Sequence, residues 1–177
     1  TWPAAYFFVT NNLYNQFGDV TPIQKHYPSM KKWMMYMKEK FMKDYIVTRD
    51  KYGDWCVPPE SLTLIHAKDT NRLTDGKLIA TAYYYKLLSY MQRFANLTNN
   101  KWDASYYGLL SDSIRTAFQQ TFYNPKLKQY SNNTVTANLL PLYFGICPDS
   151  LRGPVNEKIR YKVHVENHGH ISTGLIG

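Results

Sequence analysis

Two short stretches of this chain combine residue types that could do binding chemistry. The first is Tyr52-Gly53-Asp54-Trp55, where the glycine lets the backbone come close to whatever lies beside it. A carboxylate followed by an indole suits a sugar. The carboxylate accepts hydrogen bonds from neighbouring hydroxyls, and the indole covers the apolar C–H face of the ring. An ordinary loop aspartate beside a core-anchoring tryptophan has the same sequence. The second stretch is His168-Gly169-His170-Ile171-Ser172-Thr173-Gly174, two imidazoles and two hydroxyls in a glycine-flanked turn that could line a pocket. The His-x-His spacing also fits a metal, but no third ligand stands at a recognisable spacing, so metal binding is not expected. A structural turn with satisfied histidines is the other reading.

The 13 acidic residues contain no pair that announces itself as acid and base. Cleavage of a glycosidic bond needs two carboxyls, roughly 6.5–9.5 Å apart for inversion or about 5–5.5 Å for retention. Asp54 is the best placed for any role, with Glu60 and Asp69 behind it in the same loop, while Glu157 and Glu166 read as exposed helix positions. No Ser-His-Asp series, Walker loop, dinucleotide fingerprint or cysteine-rich zinc pattern is present. His26 and His66 have no companions and read as ordinary histidines.

These residues must be held by helices. An apolar run over 2–17 ends at Gly18, a C-cap signal, and Pro22 opens the next helix. From 22 to about 43, Ile23, Tyr27, Met30, Met34, Met37 and Phe41 recur at spacings of four and three, which places one packed stripe on a helix. Residues 46–76 carry Gly53, Pro58, Pro59 and Gly76 without periodicity and read as a long pocket loop. Helical patterning returns over 77–97 and 102–121 as a hairpin, then over 134–145, where Pro141 is placed to kink the helix, and over 148–163. Between them Phe122 to Tyr130 reads as a turn or short hairpin. The expectation is an all-α chain of about six helices with very little strand, in the hairpins of an α/α toroid or a solenoid. No recurring repeat signature of 34 or 40 residues is present, which counts against a solenoid.

Composition bounds the function. The length, 177 residues, is that of one domain, and 44% hydrophobic with 19% charged residues is ordinary for a globular protein. A mean hydropathy of −0.47 without an apolar run near 18 residues excludes a membrane-spanning helix. The net charge of +8 raises the question of an anionic partner. Lys25, Lys31, Lys32, Lys38, Lys40 and Lys43 gather around one helix, without a consecutive basic block or a nucleic-acid motif, so they read as a solvated face. Cys56 and Cys147 are far apart and are expected to be reduced. The unusual feature is 16% aromatic residues, 16 of them Tyr, which suits packed helices and also stacking against sugars.

The ordered set Trp2-Pro3-Ala4-Ala5, HYPSMKKWMMYM (26–37), Gly53-Asp54-Trp55, IATAYYY (79–85), TANLLPLYFGI (136–146) and HGHISTGLIG (168–177) resembles the α-L-rhamnosidases of glycoside hydrolase family seventy-eight. The resemblance covers nearly the whole chain. It implies a six-hairpin α/α toroid, of which about half would lie in this chain, so that both ends are expected to fall inside a longer domain. It also implies inverting hydrolysis of terminal α-L-rhamnose by a glutamic acid and a second glutamate as base. The acid belongs to a motif before the Trp-Pro-Ala-Ala segment and the base to one after the His-Gly-His turn, outside residues 1–177. Asp54 and Trp55 carry over as sugar-binding residues and His170 as a pocket-lining one. No cofactor is expected, the expected partner is a rhamnose-containing carbohydrate, and the family points to a periplasmic or extracellular site. A non-catalytic helical sugar-binding or scaffold module and another α/α-toroid glycosidase are the alternatives.

Overall fold

The computed structural model describes residues 1–58 and 72–177. Among them six α-helices follow in order: α1 (Ala5–Phe17), α2 (Thr21–Phe41), α3 (Gly76–Leu97), α4 (Lys101–Phe122), α5 (Val135–Tyr143) and α6 (Asp149–Tyr161). A 3₁₀ turn at Trp2–Ala4 leads into α1, and α6 runs on into a π turn at Lys162–Glu166. Two very short antiparallel ladders complete the list, β1 (Met42–Lys43) with β2 (Ile46–Val47) and β3 (Tyr123–Asn124) with β4 (Gln129–Tyr130). The all-α reading and its hairpins are met. The stretch read as a loop over 46–76 begins on β2, whose two residues are buried, and Glu60, His66 and Asp69 lie outside the described residues.

Local chemistry sets the helix ends. Gly18 takes the left-handed conformation at φ 67° and its N–H donates to Tyr14 O at 2.8 Å, a geometry that costs a residue with a Cβ about 1 kcal/mol or more. The Asp75 carboxylate accepts from Lys77 N at 2.8 Å, and the Thr134 hydroxyl accepts from Ala137 N at 3.1 Å, capping α3 and α5. Pro141 does not interrupt α5, which continues to Tyr143. Beyond it the Pro141 carbonyl accepts from both Ile146 N and Cys147 N at 2.9 Å.

The helices pack as three hairpins, α1 with α2, α3 with α4 and α5 with α6. Helix α3 lies at the centre and shares in two cores. One joins it to α1, α2 and α4 through Phe7, Ile23, Met30, Met34, Leu87 and Phe94; the other joins its first turn to α4, α5 and α6 through Leu78, Ile79, Phe118, Leu140 and Val155. Each such side chain contributes roughly 1.5–3 kcal/mol by leaving water. The methionines of the α2 stripe are core residues, as the periodicity requires.

One expectation about α2 needs correction. Lys25, Lys32, Lys40 and Lys43 are exposed, but Lys31 and Lys38 tie α2 to α4. The Lys31 ammonium sits 2.7 Å and 2.8 Å from the two oxygens of Asp103, which also accepts from the Tyr27 hydroxyl at 2.8 Å. Lys38 donates to the Tyr106 hydroxyl at 2.8 Å. Asp103 is buried, and its partners make that burial tolerable. Burial first, and the Asp103 hydrogen bond second, push the Tyr27 phenol well above its ordinary range. Asp103→Ala would strand a buried phenol and a half-covered ammonium, and is expected to lower the unfolding free energy by about 2–3 kcal/mol, read from the urea midpoint at constant m-value.

Candidate functional site

The N-terminal ends of α1, α3 and α5 meet on one side of the packed hairpins, and the segments that precede them touch. The Thr1 hydroxyl donates to Asp50, which lies against Gly76 at the start of α3. The hydroxyls of Thr74 and Thr134 are hydrogen-bonded at 2.6 Å, joining the entries to α3 and α5. Asp50 organises the loop beneath Trp55 by accepting from Tyr52 N at 2.9 Å and Gly53 N at 3.0 Å. Burial pushes its carboxyl up, but the Thr1 hydroxyl and those two amides outweigh it and leave the group below the usual carboxylate range.

Asp54 lies at the centre of a clasp. Its carboxylate is 3% exposed and accepts at Oδ2 from the Thr136 hydroxyl on α5 and from Gly174 N at 3.0 Å, and at Oδ1 from Ile176 N at 3.3 Å. A further bond, from Leu175 N to Trp55 O at 2.9 Å, closes the same contact from the backbone. The turn can come this close because residue 174 is glycine: a Cβ there would overlap the Trp55 carbonyl oxygen and stand 2.6 Å from Asp54 Oδ1. The two stretches singled out in the sequence, about 120 residues apart, are therefore one structural unit.

Within that unit the side chains divide. Trp55 is 57% exposed, so its indole is available at the surface, and the buried tryptophan anchor that the sequence also allowed is set aside. His170 is exposed, and its N–H donates to Asn167 O at 2.8 Å. Asn167 Nδ2 donates to Ser172 Oγ at 2.7 Å and steadies the turn. Its start is fixed by His168 and Gly169, at φ 50° and 86°. Among the described residues no group of three His, Cys, Asp or Glu side chains gathers in metal-binding geometry.

Beside the clasp lie three clefts. One of about 400 Å³ has Trp2, Trp33, Tyr52 and Tyr83 on its walls. A second, about 310 Å³, is lined by Trp2, Phe8, Tyr83 and Leu175, and a third, about 270 Å³, by Phe8, Tyr83, Tyr143 and Ile176. These are sizes that hold a small organic ligand. The walls are aromatic and aliphatic, with Arg49, Asp50 and Lys51 on the first, and among the described residues Asp50 is the one side-chain carboxylate that lines them. They can cover a ring and orient hydroxyls, and by themselves they do not form a pair of catalytic carboxyls. Trp2, Asp50, Tyr83 and Thr136 were not picked out as site residues from the sequence. Trp2 lies in the Trp-Pro-Ala-Ala segment, Tyr83 in IATAYYY and Thr136 at the head of TANLLPLYFGI, all segments that carry the resemblance; Asp50 carried no signal.

Comparison with known proteins bears on this arrangement. The family model described as the bacterial alpha-L-rhamnosidase 6 hairpin glycosidase domain matches residues 1–177. Among curated relatives, an alpha-L-rhamnosidase of Formosa agariphila is 26% identical over 99% of this chain and 18% of its own length, and one of Streptomyces avermitilis is 30% identical over 93% of this chain and 14% of its own. Among solved structures, the alpha-L-rhamnosidase from Dictyoglumus thermophilum superposes with a TM-score of 0.85 at 30% identity, covering 98% of this chain and 19% of that one. The Streptomyces avermitilis alpha-L-rhamnosidase complexed with L-rhamnose gives 0.82 at 28% identity, over 98% and 15%. The chain thus spans less than a fifth of the length of these relatives, and its three hairpins are half the number that the family's description gives. Family model, relatives and fold agree, and the chain belongs to the bacterial α-L-rhamnosidase six-hairpin glycosidase domain family.

Proposed function

We propose that the chain forms part of the sugar pocket of an α-L-rhamnosidase that removes terminal α-L-rhamnose by inversion, with the acid and base supplied from outside residues 1–177. The observation that carries this reading is the clasp: in a member of this family, the Asp54 loop, the turn before α1 and the turn over 168–177 converge beside aromatic clefts. One solved relative holds L-rhamnose. Rhamnose presents an apolar C–H face and a methyl group as well as hydroxyls, which matches an exposed indole beside polar groups.

Trp55 covers the ring. Asp54 is 3% exposed and has three of its roughly four acceptor positions taken by the protein, so it chiefly holds the loop; its fourth position is the one proposed to take a sugar hydroxyl. His170 is exposed on the same turn and is proposed to meet the sugar from the edge of the pocket. A single side-chain carboxylate on the cleft walls among the described residues is the observation that favours the second reading, a helical module that binds sugar without cleaving it.

Hydrolysis of 4-nitrophenyl α-L-rhamnoside by the whole protein, followed with the stereochemistry of the released sugar, tests the first reading. Inverted rhamnose is expected; binding of L-rhamnose by calorimetry without turnover would favour the second. Trp55→Ala is expected to lower kcat/KM about 30-fold, the loss of roughly 2 kcal/mol of stacking. The melting temperature should stay put because the side chain is largely exposed. An unchanged kcat/KM would remove Trp55 from the pocket.

A further inference from the structure

Tyr83 packs against both cores and also faces open space. It lies on α3 at the meeting point of the three clefts and lines all of them. Its ring is gripped edge-on by Phe144, centroids 5.1 Å apart at 82°, and by Phe8 at 6.2 Å and 56°. The rotamer is therefore fixed by packing, so a ligand that meets this ring has little ordering cost to overcome.

The hydroxyl is not used by the fold. Three buried phenols have theirs engaged: Tyr27 with Asp103, Tyr84 with the Met34 carbonyl at 2.9 Å and Tyr130 with Gln119 Oε1 at 2.9 Å. Tyr83 is half-buried, yet its hydroxyl has no hydrogen-bond partner among the described residues. The oxygen is not sealed from solvent, and with neither its donor nor its acceptor used by the described residues it is available to whatever enters the clefts. Burial first, then the charges of Asp54 and Asp50, hold the proton on the oxygen, so the cleft is offered a neutral donor.

We propose that Tyr83 is a substrate-binding residue in the floor of the cleft, its hydroxyl hydrogen-bonding a ring hydroxyl of the terminal sugar. This rests on the rhamnosidase reading above. The O–H donates to one sugar oxygen and its lone pairs accept from a second, so the contact favours sugars that carry a hydroxyl at that depth in the pocket. No bond is made or broken by Tyr83.

The test is Tyr83→Phe in the whole enzyme, which keeps both ring contacts and removes one oxygen. For 4-nitrophenyl α-L-rhamnoside, kcat/KM is expected to fall about tenfold, equal to about 1.4 kcal/mol, with the melting temperature unchanged. A set of monodeoxy rhamnosides then locates the contact. On the analogue that lacks the engaged hydroxyl, wild type and variant should coincide, while on the other analogues the tenfold gap should persist. A wild-type enzyme that does not hydrolyse the rhamnoside overturns the rhamnosidase reading and this inference with it. An active wild type matched by Tyr83→Phe overturns the inference alone. So does a loss of the same size on every analogue or one accompanied by a lowered melting temperature, because a structural role or a bound water then explains the oxygen.

Discussion

Replacing Asp54 by alanine is expected to destabilise the fold by about 3–5 kcal/mol and to lower kcat/KM of the whole enzyme at least 100-fold. The carboxylate is 3% exposed and receives the Thr136 hydroxyl and the amides of Gly174 and Ile176. Alanine leaves three buried donors with nothing to bind, at roughly 1–3 kcal/mol each, of which relaxation of the loop recovers a part. The activity loss has a separate cause. Without the clasp the Trp55 loop is no longer fixed to the 168–177 turn, and displacements of about 1 Å are enough to cost two orders of magnitude in rate. Asp54→Asn keeps the shape and one good acceptor but turns an amide N–H₂ toward other donors, so an intermediate loss is expected. Urea denaturation and steady-state kinetics on the same variants measure both effects. An Asp54→Ala enzyme with kcat/KM within threefold of wild type would show that neither the clasp nor a sugar contact through Asp54 matters for turnover.

The second large effect belongs to a residue with no side chain. In Gly174→Ala the new methyl would overlap the Trp55 carbonyl oxygen and stand 2.6 Å from Asp54 Oδ1 and 2.9 Å from Asp54 O. Two of these three atoms are backbone, so no rotamer change relieves the overlap, and the turn and loop must separate. Separation breaks the Gly174 and Ile176 hydrogen bonds to Asp54 and the Leu175 bond to Trp55 O together. A loss of about 3 kcal/mol is expected, with kcat/KM falling as far as in Asp54→Ala. If the two substitutions act through one clasp, the double variant should be little worse than either single one. Independent, additive losses in that cycle would mean that Asp54 and Gly174 serve different purposes.

Trp55→Ala and Tyr83→Phe differ from this pair in kind. Both leave the clasp intact, so their expected losses are confined to kinetics while the melting temperature holds. Comparing the two classes separates residues that build the pocket from those proposed to touch the sugar.

The helices could be read from the chain because their causes are local. The spacing of Ile23, Tyr27, Met30 and Met34 puts one stripe on α2, and those four residues are buried. Gly18 ends α1 because the left-handed cap is a property of the glycine itself. The Asp54-Trp55 couple and the turn over 168–174 could be picked out as chemistry, since residue type and a nearby glycine are enough to raise the possibility. Their union could not. Asp54 meets Thr136 and Gly174 across 82 and 120 positions of sequence, and no local pattern encodes a partner that far away. Lys31 read as one more solvated lysine because Asp103, which holds it, is 72 residues on. The three adjacent tyrosines 83, 84 and 85 show the limit most directly. The spacing of Ile79, Tyr83 and Leu87 marks Tyr83 as a packing position and no more, while successive residues on a helix point about 100° apart, and each meets a different environment. Tyr84 is buried and donates to Met34 O, Tyr85 reaches Gly145 O at 3.5 Å, and Tyr83 lines the clefts. Residue type made each of them an aromatic ring with a hydroxyl; the packing of α3 against its neighbours decided which hydroxyl the fold left unused.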